Sequence, residues 1–258
     1  MTPHPTSALA LSLLSALVAA PAIAGQPLET ETARLPAQGH GNLQVVYEHQ
    51  STSNGQEDAL PLAFEYGLTD RLEFAVEPVI YTSIRPKAGR SAKGFGDTEA
   101  TLTYLVAPET NSLPAFAVAG EVKFATTHNA LIGTGGTDYR IAGIVSKRYG
   151  PFDLHANLGY TFLGKATGGA KLDNIIDFAA AAEYTLNPKW TLVSEVLANS
   201  SAGGNETAVG GAQEASASTV TGLVGAVYHP GDRYELSVGA TYDSESAALL
   251  RTGLTFRF

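Results

Sequence analysis

Residues 152–162, FDLHANLGYTF, constrain the fold more than any other stretch of the chain. Phe152, Leu154, Ala156, Leu158, Tyr160 and Phe162 are apolar, whereas Asp153, His155, Asn157, Gly159 and Thr161 between them are polar or small. A period of two places these sets on opposite faces of a β-strand, so one face needs an apolar environment and the other a polar one. The same alternation runs through the whole chain. Leu43, Val45 and Tyr47 alternate with Gln44, Val46 and Glu48; Leu60, Leu62, Phe64 and Tyr66 oppose Pro61, Ala63 and Glu65. Leu72, Phe74, Val76 and Ile80 oppose Arg71, Glu73, Ala75 and Glu77, and Ala100, Leu102, Tyr104 and Val106 oppose Asp97, Glu99, Thr101 and Thr103. Phe116, Val118, Val122 and Phe124 then face away from Glu121 and Lys123, as Tyr139, Ile141, Val145 and Tyr149 do from Asp138, Arg140, Ser146 and Arg148.

The alanine-rich run at 176–186 invites a helix, but Asp177, Glu183 and Thr185 fall on one parity, which decides for a strand. Trp190, Leu192, Val196 and Ala198 oppose Thr191, Glu195 and Asn199, and Tyr234, Leu236, Val238, Ala240 and Tyr242 oppose Arg233, Glu235 and Ser237. With residues 220–228 and 250–258 the pattern predicts about twelve strands of roughly 10 residues. Tight or proline-marked connections at 69–70, 108–114, 150–151, 187–189 and 229–232 alternate with longer ones at 51–58, 84–96, 128–136, 164–172 and 200–215. The expected fold is all-β, an antiparallel up-and-down transmembrane β-barrel whose short turns and termini lie at the periplasmic end. Tyr66, Tyr104, Tyr149, Phe152, Tyr184, Trp190, Tyr228, Tyr234 and Phe258 stand beside the short turns on the apolar parity, as an interfacial aromatic girdle would.

The amino-terminal residues agree with export. Residues 8–20 are an apolar run, followed by Pro21 and the small-residue pattern Ala22-Ile23-Ala24, so residues 1–24 are expected to be a signal peptide cleaved after Ala24. Residues 25–40 are expected to be a polar periplasmic leader and residues 41–258 the barrel. No later run approaches the length of a membrane-spanning helix, so a membrane is crossed only by a closed barrel, which satisfies every backbone group.

Composition removes several function classes. The absence of cysteine excludes disulfides, thiolate catalysis and cysteine-ligated metals. A net charge of −9 with no basic run disfavours nucleic acid as a partner, because that affinity comes from neutralising phosphates. Gly94-Phe95-Gly96 and Gly133-Thr134-Gly135-Gly136 precede no helix, so they are hairpin loops rather than phosphate cradles. His4, His40, His49, His128, His155 and His229 are scattered, without zinc-site pairing; neither a metal nor a cofactor is expected.

The last strand has Leu250, Leu254, Phe256 and Phe258 on one parity and Arg251 and Arg257 on the other. Its aromatic final residue resembles the signature of bacterial outer-membrane β-barrels, which implies that Phe258 is read by the barrel-assembly machinery and that outer-membrane lipid surrounds the apolar face. Closure should pair this strand with residues 43–49 and bring Arg251 or Arg257 near Glu48. Gly94-Phe95-Gly96-Asp97, Tyr104, residues 119–123, Gly135-Gly136-Thr137-Asp138-Tyr139, Ser146-Lys147, residues 154–160, Trp190 and Glu195 carry a narrower likeness. In these the chain is similar to the outer-membrane transporter family named for the MetA pathway of phenol degradation. That resemblance implies an outer-membrane barrel that admits small molecules, including aromatic ones.

Taking the polar parity as lumen-facing gives the candidate site: Glu48, Glu65, Arg71, Glu73, Glu77, Asp97, Glu99, Glu121, Lys123 and Asp138, then Arg140, Asp153, His155, Asn157, Glu183, Glu195, Arg233, Glu235, Arg251 and Arg257. Carboxylates on this parity outnumber cations about two to one, and Glu65, Glu73, Glu77 and Glu99 form an acidic stripe favouring cations or polar neutral solutes. The alternative is a narrow lumen filled by paired charges, a closed structural barrel. His155 and Asn157 raise the possibility of an outer-membrane lipid hydrolase, but no serine stands in a recognisable motif beside them, and a nucleophile needs a base within hydrogen-bond reach. A surface-binding protein would need larger external loops. The expectation is therefore a monomeric, non-enzymatic channel for passive passage of small molecules.

Overall fold

The computed structural model describes residues 28–127, 129, 131–165, 172–202 and 218–258. The expected signal peptide lies outside the described residues, as does most of the 200–215 loop. The strands are β1 (Gly41–Ser51), β2 (Gly55–Thr69), β3 (Leu72–Pro86), β4 (Ala92–Gly94), β5 (Thr98–Ala107), β6 (Ala115–Phe124) and β7 (Asp138–Tyr149). There follow β8 (Phe152–Phe162), β9 (Ile175–Asn187), β10 (Trp190–Asn199), β11 (Thr219–Gly231), β12 (Tyr234–Asp243) and β13 (Ala248–Arg257). Each long strand pairs antiparallel with its neighbours in sequence, and β1 pairs with both β2 and β13, so twelve strands close into a barrel. The short β4 is additional. It forms a hairpin with the outer end of β3, pairing Lys93 with Ser83, within a stretch expected to be loop.

Closure follows the expected register, with Glu48 directly opposite Arg251. Parity decides the faces: Leu158 is 61 % exposed while Asn157 beside it is 3 % exposed, and Ile141 is 59 % exposed while Ala142 is 3 %. The exposed side chains form the lipid-facing band. Aromatic pairs rim its periplasmic end, with Phe152 against Tyr184, Trp190 against Tyr228, and Phe258 stacked between Phe64 and Phe256. Among the short turns, Gly150 supplies the positive φ of 57° in a two-residue connection between Tyr149 and Phe152. Inside, Ala115, Ala117, Ala119 and Ala142 keep the wall of β6 and β7 low, which leaves room for another segment to lie on it.

That segment is the amino-terminal one. Instead of extending away from the barrel as a leader, residues 28–36 run inside it and rejoin the wall at β1. Leu28 is buried against Ala181, Val193, Leu223 and Val227 of β9 to β11, and Ala33 against the alanine floor and Ile144. The physical reason is charge and backbone satisfaction. Glu29, Glu31 and Arg34 find buried counter-ions in the lumen, and the segment's N–H groups find side-chain acceptors there, as buried donors require.

Candidate functional site: an acidic lumen crossed by an internal strap

The strap comprising residues 28–36 is held at four places. Glu195 of β10 accepts from the Glu29 N–H at 3.0 Å and from the N–H and hydroxyl of Thr30. Arg251 of β13 bridges Glu29 at 2.6 Å and Glu48 of β1 at 2.7 Å, so one guanidinium ties the strap to the closing seam. Arg140 of β7 holds Glu31 at 3.0 Å and Asp177 at 2.7 Å, and Asn157 donates to Glu31 at 3.2 Å. At the periplasmic end, Arg34 binds Asp153 at 2.9 Å and Glu109 at 2.5 Å, and the Ala33 N–H donates to Ser146 Oγ at 2.9 Å. Glu109 lies in the β5–β6 turn. Burial alone would raise its pKa, yet Lys147, the Arg148 N–H and Arg34 together hold it down to about 2.

Beside the strap lies a cavity of about 1310 Å³, lined by residues of both the strap and the wall. Glu48, Glu65, Glu77, Glu99 and Glu121 reach it from the strands, and Glu57, Asp97, Asp177, Asp243 and Glu245 from strand ends and outer turns. Glu29 and Glu31 of the strap complete a set of twelve carboxylates, against the two arginines Arg140 and Arg251. Both arginines are already paired. Glu77 and Glu99 stand directly opposite one another on β3 and β5, an arrangement of like charges that costs stability in a sheet. The acidic stripe on β2, β3, β5 and β6 therefore faces the cavity largely uncompensated, while the arginines concentrate on β7 and β13.

The expected lumen residues divide into three groups. Glu48, Glu65, Glu77, Asp97, Glu99, Glu121, Arg140, Asn157 and Arg251 line the cavity. Glu73, Lys123, Asp138, Asp153, His155, Glu183, Glu195, Glu235 and Arg257 share the inward parity but not that cavity; several pair with one another. Lys123 with Asp138, and Arg257 with Glu235, are close ion pairs, and His229 lies 3.0 Å from Glu235. Arg71 and Arg233 belong to neither group. Both are exposed residues of two-residue turns, one step beyond the strand whose parity they were read with.

Sequence reasoning missed the strap residues and Ser146. Ser146 Oγ lies 2.8 Å from His155 Nδ1, and His155 Nε2 lies 3.4 Å from Glu183 and 3.9 Å from Asp153. This resembles a nucleophile, base and orienting acid. However, Ser146 is 1 % exposed, its oxygen already accepts from Ala33, and the strap covers it. The cluster is an anchor for the strap.

A closed twelve-stranded barrel with an apolar outer band, aromatic rim and polar lumen is an outer-membrane β-barrel of the porin type. The chain belongs to the family described as "Putative MetA-pathway of phenol degradation", whose model matches residues 37–258. Similar solved structures include the NanC porin, 14 % identical over 83 % of this chain and 98 % of that one, with a TM-score of 0.59. The KdgM porin in complex with disordered oligogalacturonate is 13 % identical over 83 % and 99 %, with a TM-score of 0.54. The translocator domain of the autotransporter NalP from Neisseria meningitidis is 12 % identical over 85 % and 87 %, with a TM-score of 0.50. No curated protein sequence matches the chain.

Proposed function

We propose that the protein is a passive outer-membrane channel for small solutes, selective for cations and polar neutral molecules over anions and narrowed by its own strap. The observation that carries this reading is the cavity with twelve carboxylates against two paired arginines, inside a closed barrel. Fixed charges of one sign in a narrow polar passage concentrate counter-ions and repel co-ions. Membership of the phenol-degradation family supports small organic compounds, aromatic ones among them, as solutes. The same acidity disfavours polyanions such as the oligogalacturonate of the KdgM complex. No chemical step is assigned, since the serine–histidine contact lies under the strap. Residues 1–24 serve as the cleaved export signal, and the barrel acts as a monomer.

A second reading, a closed structural barrel, is favoured by the strap itself, which crosses the lumen on well-paired anchors. Conductance in planar bilayers under a KCl gradient separates the two. A cation-selective reversal potential supports the channel. Absence of conductance, both in the native protein and in a Glu29→Gln/Glu31→Gln/Arg34→Gln variant with loosened strap, refutes it.

A further inference from the structure

A charged feature lies outside the lumen, on the outer end of the wall. Residues 84–96 carry Arg85, Lys87, Arg90 and Lys93, four of the chain's sixteen Lys and Arg residues, and no acid. They sit on the β3–β4 hairpin at the outer end of the barrel, and all four are exposed. Cross-strand register fixes which way they face. Lys93 is directly opposite Ser83, Ser83 opposite Asp58, Asp58 opposite His49, and His49 opposite Leu250. Directly opposed residues share a face, and Leu250 is a lipid-facing residue of the apolar band. Lys93, Arg85 and His49 therefore look outward from the barrel.

The row is built, with Asp58 at its centre. Asp58 accepts from Tyr47 Oη at 2.9 Å, and it lies 2.7 Å from His49 Nδ1 and 2.5 Å from Arg85. Arg85 also donates to Ser83 at 3.3 Å. One carboxylate thus orients Arg85 while leaving most of its positive edge free. Among the described residues Lys87, Arg90 and Lys93 have no carboxylate partner. In a chain of net charge −9 this is a local excess of cations, placed where the apolar band ends.

We propose that this outward rim of β1 to β4 binds the phosphate groups of outer-leaflet glycolipid, and so fixes the barrel's lipid collar on that side. The inference rests on the outer-membrane placement but not on transport. A soluble anion is the poorer occupant, because the adjoining mouth is acidic and repels it. A lipid phosphate sits at this height and reaches the cations from the side, without passing the mouth. Arg85 suits a phosphate oxygen through its fork of donors, and the three remaining cations add charge.

The test uses the full mature chain refolded into vesicles with either bisphosphorylated lipid A or the same lipid lacking phosphates. The thermal midpoint of the barrel should rise with the first and not with the second. A Lys87→Ser/Arg90→Ser/Lys93→Ser variant, which leaves the Arg85–Asp58 pair intact, should bind the phosphorylated lipid about 100-fold more weakly, at roughly fivefold per cation near an anionic surface. Glu77→Gln, a lumen change, should bind it as the native protein does and alter only ion selectivity. Equal midpoints with both lipids, or an unaltered triple variant, would overturn the proposal. So would full reproduction of the shift by inorganic phosphate, which would make this a soluble-anion site. Loss of cation selectivity with lipid binding intact would instead remove the channel reading alone.

Discussion

Arg251→Met tests the strap and the seam together. Arg251 is 6 % exposed and bridges the strap and the first strand through Glu29 and Glu48. The two partners are not equivalent. Glu48 has a side chain 21 % exposed and receives a charged hydrogen bond at 2.7 Å, worth about 1.5–3 kcal/mol. Glu29 is 43 % exposed, so solvent screening reduces its share to about 0–1 kcal/mol. Removing the guanidinium should therefore destabilise the barrel by about 2–4 kcal/mol, because two carboxylates are left facing each other without their cation. The backbone ladder between β1 and β13 is untouched, so the variant should still assemble. Urea unfolding in vesicles, followed through the chain's single tryptophan, Trp190, measures the first effect. Single-channel recording measures the second, an increase in conductance as the strap loosens. Adding Glu48→Gln should recover part of the stability and none of the closure. A midpoint within experimental error of the native one, with unchanged conductance, would refute the account of Arg251 as the tie.

Further outcomes follow from other contacts. A Cβ at Gly159 would lie 2.2 Å from Asp177 Oδ2, and Arg140 holds that carboxylate in place, so Gly159→Ala should cost about 1–3 kcal/mol in the same unfolding assay. Glu77→Gln with Glu99→Gln removes like charges set opposite one another, and should raise stability slightly while lowering cation selectivity, read from the reversal potential. Glu109 is ionised in the folded protein down to about pH 2, below its unfolded value of about 4.3. Its contribution is therefore complete above that unfolded value and is lost as pH falls through about 2. Urea unfolding should show Glu109→Gln less stable than the native protein at neutral pH, with the difference shrinking as pH falls through about 2.

The strands, their faces and the closing pair were legible because a one-residue slip would turn every lipid-facing side chain inward. Leu158 beside Asn157 shows how strongly that constrains the wall. Arg71 and Arg233 were misread because parity persists on paper past the point where a strand turns. The strap was missed for a different reason: residues 28–36 have no period of their own, since their polar partners are supplied by four separate strands. Thr30 meets β10, Glu31 meets β7 and β8, and Glu29 meets β13, contacts that no local pattern records. Ser146 was hidden likewise, its relation to His155 arising only when β7 pairs with β8.

The strap has a mechanical consequence. A barrel wall of antiparallel hydrogen bonds resists being pulled apart strand from strand, but it offers little resistance to flattening from a round to an oval cross-section. Residues 28–36 are covalently continuous with β1 and are fastened to β7, β8, β10 and β13, so they act as a diagonal brace across that section. Cutting the fastenings should broaden the distribution of spin-label distances measured across the barrel, even where every strand stays paired.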